Sequence, residues 1–315
     1  MRVRKVMRWI AVVSSFVVGS AAGAWAGEGV LEINQVCAVQ TGCFTGDAPG
    51  FPVTLPGAGS YRLTSSLEVT ANGTNGIEVT TPETEVDLNG FQIRGPVACS
   101  DTGTGVDCIP SPTSGAGVQA AGVNEVTVRN GIVRGFNHGL RFGSQATVED
   151  VILYSNADRG VLAGGRILVR DSIVSLNGGN GVDVDRTSQI VGVAAVRNNS
   201  AGLRGRAGAT RMEQNLMWAN YGPGLFCNSA CTIRRNAAID GGEDGIRTGE
   251  GTWVEGNLIS NNARDGLAVG ANSGFRHNVI EWNVGSQLGV TGAGVYVHPN
   301  LCEGGQDDAT CRFVP

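Results

Sequence analysis

The chain has 315 residues, 49 of them glycine, with 23 basic and 28 acidic side chains. Four of the basic residues, among them the only lysine, lie in the first eight positions, and without them the formal net charge is −9. That balance excludes general nucleic-acid binding, which needs a basic footprint, and leaves no lysine to act as base, Schiff-base former or phosphate holder.

"MRVRKVMR", an apolar run from Ile10 to about Gly23 and "AWA" at 24–26 read as a secretory leader, too short to be kept as a membrane span. Cleavage is expected after Ala26. No later stretch is apolar for long enough to cross a bilayer, and no cysteine stands at the cut to take a lipid. Residues 1–26 therefore read as signal peptide and the remainder as a soluble exported chain, extracellular or periplasmic. Residues 27–75 read as an N-terminal cap.

From Gly76 onward a phrase returns. Gly followed by an aliphatic residue recurs at Gly139, Gly160, Gly181, Gly202, Gly224, Gly245 and Gly266, with gaps of 21, 21, 21, 22, 21 and 21. Asparagines recur at Asn215, Asn236, Asn257 and Asn278, and again at Asn156, Asn177, Asn199, Asn220, Asn262 and Asn283, with Gly241 in one place of the second series. An apolar series runs Val128, Val148, Val169, Val191, Met212, Ile233, Val254 and Phe275. Self-similarity at fixed period marks a solenoid. Within each unit apolar and polar residues alternate at strand period, the strands are separated by Gly, Asn, Asp and Ser, and no helical stretch intervenes. Three short strands and three turns in about 21 residues make one coil of a parallel β-helix. The fold class is all-β, a single solenoid over 76–298, capped at both ends. Stacked asparagines are expected to hydrogen-bond one another across coils. The glycine opening each strand is expected to supply a backbone conformation that a Cβ would penalise.

"GIEV" at 76–79 and "GVQA" at 117–120 belong to the same strand series but lie 41 residues apart. The excess, 95–115, holds Cys99 and Cys108 and reads as a disulfide-pinned loop. At the far end the last strand opens at Gly289 or at Gly294, the latter placing Tyr296 and His298 outward, and 299–315 read as a C-terminal cap. The eight cysteines fall into local pairs, Cys37–Cys43, Cys99–Cys108, Cys227–Cys231 and Cys302–Cys311. In an exported chain these read as disulfides. Zinc is the alternative, although the spacings do not match the usual two-residue knuckle.

"GIEV", "VDLNGFQI" at 86–93 and the tandem Asn-x-Ile…Asn…Gly-[Ile/Leu] units resemble right-handed parallel β-helix repeat proteins of the pectate-lyase-like superfamily. The resemblance covers about 76–298. It implies a right-handed helix, and a groove along the outer face of the Gly-led strand used by polysaccharide lyases, hydrolases and epimerases.

Alternation along a strand then turns outward the residue two after each glycine: Glu78, Gln119, Arg141, Leu162, Asp183, Arg204, Phe226, Arg247 and Ala268. Two further on come Asp185, Arg206 and Asn228. Asp183 is expected beside Arg204, and Asp185 beside Arg206. In a functional reading these carboxylates hold calcium or act as base while the arginines grip an acidic sugar, as the resemblance implies. In the structural reading they are two exposed cross-coil ion pairs, each contributing about 0–1 kcal/mol, so that changing both acids to Asn costs little. The acid cluster, Gly-His-Gly and Arg-x-Lys of β-helix hydrolases and the Asp-x-His of epimerases are not complete here; "NHGL" at 137–140 comes nearest to one of them. Asp244 and Asp265 precede their glycines and stack, which fits either a calcium ion between them or Asp-Gly turn chemistry screened by Arg264. His138, His277 and His298 lie too far apart for a three-histidine metal site, and no other cofactor is implied. The leading functional reading is a secreted β-helix that presents a long face to carbohydrate or cell-envelope glycan. The alternatives are a uronate lyase, glycoside hydrolase or epimerase using the Asp183/Asp185 and Arg204/Arg206 patch, and a structural surface or adhesion protein.

Overall fold

A strand of three residues is too short to persist alone, and its backbone groups are satisfied only by the same strand one period away. The computed structural model, which describes residues 29–290, 296–297 and 300–303, shows that arrangement throughout. The chain is a right-handed parallel β-helix whose coils each give one strand to three faces. One face is an 11-stranded parallel sheet of Gly-led strands. The second and third faces form a single continuous sheet, because Val126–Arg134 and Ala146–Tyr154 each run unbroken around the corner between them.

The ladder begins before the expected boundary at 76. Val30–Ile33 pairs in parallel with Ser60–Leu63, and Val53–Leu55 with Ile77–Val79, so much of the cap is already solenoid. A short helix, Gln35–Gln40, projects from this first coil, pinned by the Cys37–Cys43 disulfide. Cys99–Cys108 and Cys227–Cys231 are also bonded. Cys302 is disulfide-bonded, while Cys311 and the leader lie outside the described residues. At the far end Leu288–Val290 is the last strand of the Gly-led face, opposite Leu267–Val269. Tyr296–Val297 sits on the second face opposite Gly274 and Phe275 and so is not a strand of the Gly-led face, while Gly294 and His298 lie outside the described residues.

Two of the sequence columns shift by one residue. Val169 stands over Ile190 and Ile190 over Met212, so Ile190 rather than Val191 is the core residue. Likewise Asn177 bonds Asn198, and Asn198 bonds Asn220, leaving Asn199 exposed. The cause is one extra residue in the turn at 206–210, which lies after Gly205 and before Met212 and makes that single coil 22 residues long. The strand-opening glycines also have a different reason from the expected one. Their φ angles are not left-handed; instead a Cβ on Gly139, Gly160 or Gly181 would lie 2.5–2.6 Å from the carbonyl oxygen of the glycine one coil on. Close approach, not backbone freedom, requires glycine there.

Left-handed backbone occurs at the corners instead, where residues such as Ser155, Leu176, Arg197 and Ala219 take φ of 50–56°. Such a residue costs roughly 1–2 kcal/mol, and the buried amides beside it offset that cost. Asn215 Nδ2 donates to Asn236 Oδ1 at 3.0 Å, Asn236 to Asn257 at 2.9 Å and Asn257 to Asn278 at 2.9 Å. Each Oδ1 also accepts the backbone N–H of the preceding rung, and each Nδ2 donates to a strand carbonyl. A second ladder, Asn156–Asn177–Asn198–Asn220, lines the corner that leads into the Gly-led face and is broken at Gly241. Changing Asn236 to Ala strips acceptors from the buried Asn215 amide and N–H, and should lower stability by about 1–3 kcal/mol in urea unfolding. A change below about 0.5 kcal/mol would show that the ladder is incidental.

Candidate functional site

The outward column of the Gly-led face forms as read from sequence. Successive strands place Glu78, Gln119, Arg141, Leu162, Asp183, Arg204, Phe226, Arg247 and Ala268 in one line, Gly289 completing it. The insertion at 95–115 borders this floor. Its antiparallel hairpin, Ala98–Asp101 with Val106–Ile109, runs across the corner turns of several coils. Cys99 N–H donates to Ser155 Oγ at 2.6 Å and Val106 N–H to Asn199 Oδ1 at 2.9 Å. At the tip Asp101 receives the Tyr221 hydroxyl and lies 3.3 Å from Arg197. The hydroxyl bond holds the Asp101 carboxyl below its ordinary range and pushes the Tyr221 phenol up.

Asp183 is not in the expected exposed pair. It is 1% exposed and points at Arg159 and Arg206 rather than at Arg204. Oδ2 accepts from Arg159 Nε at 2.7 Å and from Asn180 Nδ2 at 3.2 Å, while Oδ1 lies 3.1 Å from Arg206 Nε in poor alignment for a hydrogen bond. Arg206 turns its Nη2 to the Ala163 carbonyl, so it does not pair with Asp185 either. Asp185 is occupied locally, accepting the Arg186 N–H at 2.7 Å. The reason is reach: long arginine side chains from flanking positions fold over the short aspartate and shield it. Asn228 holds the backbone of the same turn through the Arg206 carbonyl.

The cluster continues toward the N-terminal coils. Arg159 Nη1 binds Asp158 Oδ2, which lies 3.8 Å from Nδ1 of the buried His138. Burial pushes His138 down to about 4; Asp158 and Asp183 oppose this and Arg159 and Arg141 assist. The imidazole is therefore neutral at pH 7, and its Nδ1 has no hydrogen-bond partner. His138, Arg159 and Asn180 all stand immediately before the strand-opening glycine. That column includes Asp244 and Asp265, and it edges the floor, so the residue preceding each glycine was the signal that finds them.

Toward the C-terminal coils the Phe226 ring lies between two guanidiniums, with Arg204 at 5.4 Å and Arg247 at 6.0 Å from its centroid. A cleft of about 290 Å³ beside it is lined by Asn180, Asn199, Arg204, Tyr221, Phe226 and Arg247. Arg141 and Arg204 have no carboxylate partner among the described residues. Asp244 Oδ1 accepts the Asp265 N–H and Asp265 Oδ1 the Ser286 N–H, a cap repeated from coil to coil. Burial raises the Asp244 carboxyl, opposed by that N–H and by Arg247 at 3.4 Å. Among the described residues no group of three or more His, Cys, Asp or Glu is placed to hold a metal ion.

Burial of Asp183 reverses the stability expectation for the two acids. Asp183→Asn should cost of order 2–4 kcal/mol, less than a fully buried pair because both arginines are partly exposed, while Asp185→Asn should cost under about 0.5 kcal/mol; equal, small effects in urea unfolding would contradict the buried cluster. The second expectation concerns pH. Below 6.5 the unfolded imidazole takes a proton that folded His138 refuses until about 4, so this residue's contribution is intact above pH 6.5 and falls as pH drops toward 4. Proton–nitrogen NMR should show a neutral His138 ring at pH 5, and His138→Gln should flatten the stability loss between those values. A ring titrating above pH 6 would contradict this.

No family profile matches the sequence and no curated protein matches it. Solved structures do. The Dettilon tailspike protein superposes over 87% of this chain and 60% of its own at a TM-score of 0.59 and 12% identity. A point mutant of the periplasmic alginate epimerase AlgG superposes over 86% of this chain and 67% of its own at 0.53 and 11% identity. The chain thus spans somewhat less than two thirds of the tailspike and about two thirds of the epimerase. At such identity the likeness is one of fold: the chain is a right-handed parallel β-helix protein.

Proposed function

We propose that the protein binds an anionic polysaccharide laid along the Gly-led face, outside the cytoplasm. The observation that carries this reading is the pair Arg141 and Arg204. In a chain of net negative charge they stand on one floor, three coils and roughly 14 Å apart at coil spacing, with no carboxylate partner among the described residues. An unpaired guanidinium offers a fork for a sugar carboxylate. The hairpin beside Tyr221 makes a wall against which a chain can align. The fold neighbours include a tailspike and an alginate epimerase, which supports a glycan partner without naming it. The leader and the disulfides support export to the periplasm or beyond. No helix among the described residues is long and apolar enough to cross a membrane.

A second reading, catalysis on a uronate polymer, is favoured by one feature. His138 is neutral with a bare Nδ1 and stands one coil from the Arg159–Asp183–Arg206 cluster, which joins a base to cationic groups that suit a sugar carboxylate.

Calorimetric titration with alginate, polygalacturonate and neutral dextran tests both. Binding to the acidic polymers is expected, with loss of at least about tenfold in affinity for the Arg141→Ala/Arg204→Ala protein and weakening by salt. Equal binding of dextran, or no effect of the double change, would contradict the first reading. Release of unsaturated uronide by the wild type that vanishes in His138→Ala would establish the second.

A further inference from the structure

We propose that the chain self-associates as a two-fold dimer through the outer surface of its third face. That surface carries an unbroken aliphatic column from Ile132 to Leu301, eight coil steps in register, in which Ile152, Ile173, Leu216 and Leu258 are each 37–44% exposed. An outward strand position in a solvated sheet ordinarily alternates to polar residues. Here no polar residue interrupts the column, and the neighbouring outward column adds Val196, Trp218 and Ile239. At coil spacing the column is about 38 Å long and the whole face about 16 Å wide, roughly 600 Å² of which the aliphatic column takes about half. The face as a whole matches the low end of a stable interface, about 600 Å² per partner.

Two independent features select a second copy as the occupant, and both select the same axis. In an antiparallel two-fold arrangement centred between the Ala194 and Leu216 coils, the central positions match large to small, while further out Ile152 meets Leu258 and Ile132 meets Val279. Leu216 faces Ala194 of the other copy and Ile173 faces Ala237. Along the flanking corner, the same axis brings Asp171 opposite Arg235. Asp171 is exposed, with only a 3.6 Å contact to Arg170. Arg235 is exposed and has no ion pair among the described residues. An isologous contact of this kind closes on itself, and so covers the column without building a fibre. It leaves the Gly-led faces of both copies free.

Analytical ultracentrifugation of the mature protein tests this. The wild type should sediment at twice the chain mass, with dissociation on dilution. Leu216→Glu should be monomeric with an unchanged melting temperature, because the residue is exposed in the single chain. Asp171→Arg should weaken association at least about tenfold, and adding Arg235→Asp should restore it. A wild type that is monomeric at every concentration, a Leu216→Glu protein that still dimerises, or a reversed pair that fails to recover would each overturn the proposal.

Discussion

Every feature of this molecule depends on one constraint: a strand of three residues has its backbone hydrogen bonds only with the strand one period on. That forces residues about 21 apart to stand over each other, whatever their side chains. Corner bonds such as Ser155 N–H to the Ser175 carbonyl and Leu176 N–H to the Val196 carbonyl repeat the pattern between the strands as well. Each corner then has to turn sharply within the same spacing, and a left-handed residue does so at a cost. Buried asparagine is the side chain that fits beside it, since its amide both donates and accepts along the stacking direction. Where a rung is missing, as at Gly241, only the backbone N–H keeps the contact.

The same constraint creates function by stacking. Outward positions become columns, and a column concentrates whatever chemistry it is given. On the Gly-led face it collects arginines around one buried aspartate, a charge that is tolerable there only because two guanidiniums and an asparagine amide surround it. On the third face it collects aliphatic residues. A globular fold would scatter these same residues. Here one lies above the next, so a polymer or a second copy meets a continuous line rather than a point.

The fold was legible because the period is written in residues that cannot vary freely. The strand-opening glycines are held by the carbonyl one coil on, and Asn215, Asn236, Asn257 and Asn278 by one another. The register failed at Val191 and Asn199, where a single extra turn residue splits 22 from 21 and the gap alone does not say on which side it falls. The floor column was also legible, from alternation. Its pairing was not: Arg204 lies next to Asp183 in register, yet Arg159 and Arg206 reach it, because side-chain length and the turn preceding each glycine decide contact rather than strand neighbourhood. Asp158 escaped for the same reason, belonging to a turn and not to a strand, and His138, the first residue of its strand, was weighed there only as a metal ligand and as part of an incomplete hydrolase motif.

Side-chain amide hydrogen exchange on the asparagine ladders tests the stacking account most directly. If the coil-to-coil register is held as described, the Nδ2 protons of Asn215, Asn236 and Asn257 exchange as slowly as the backbone amides of their own coils, and far more slowly than those of exposed Asn199 or Asn272. Ladder amides that exchange as fast as the exposed ones, beneath a protected backbone, would contradict it.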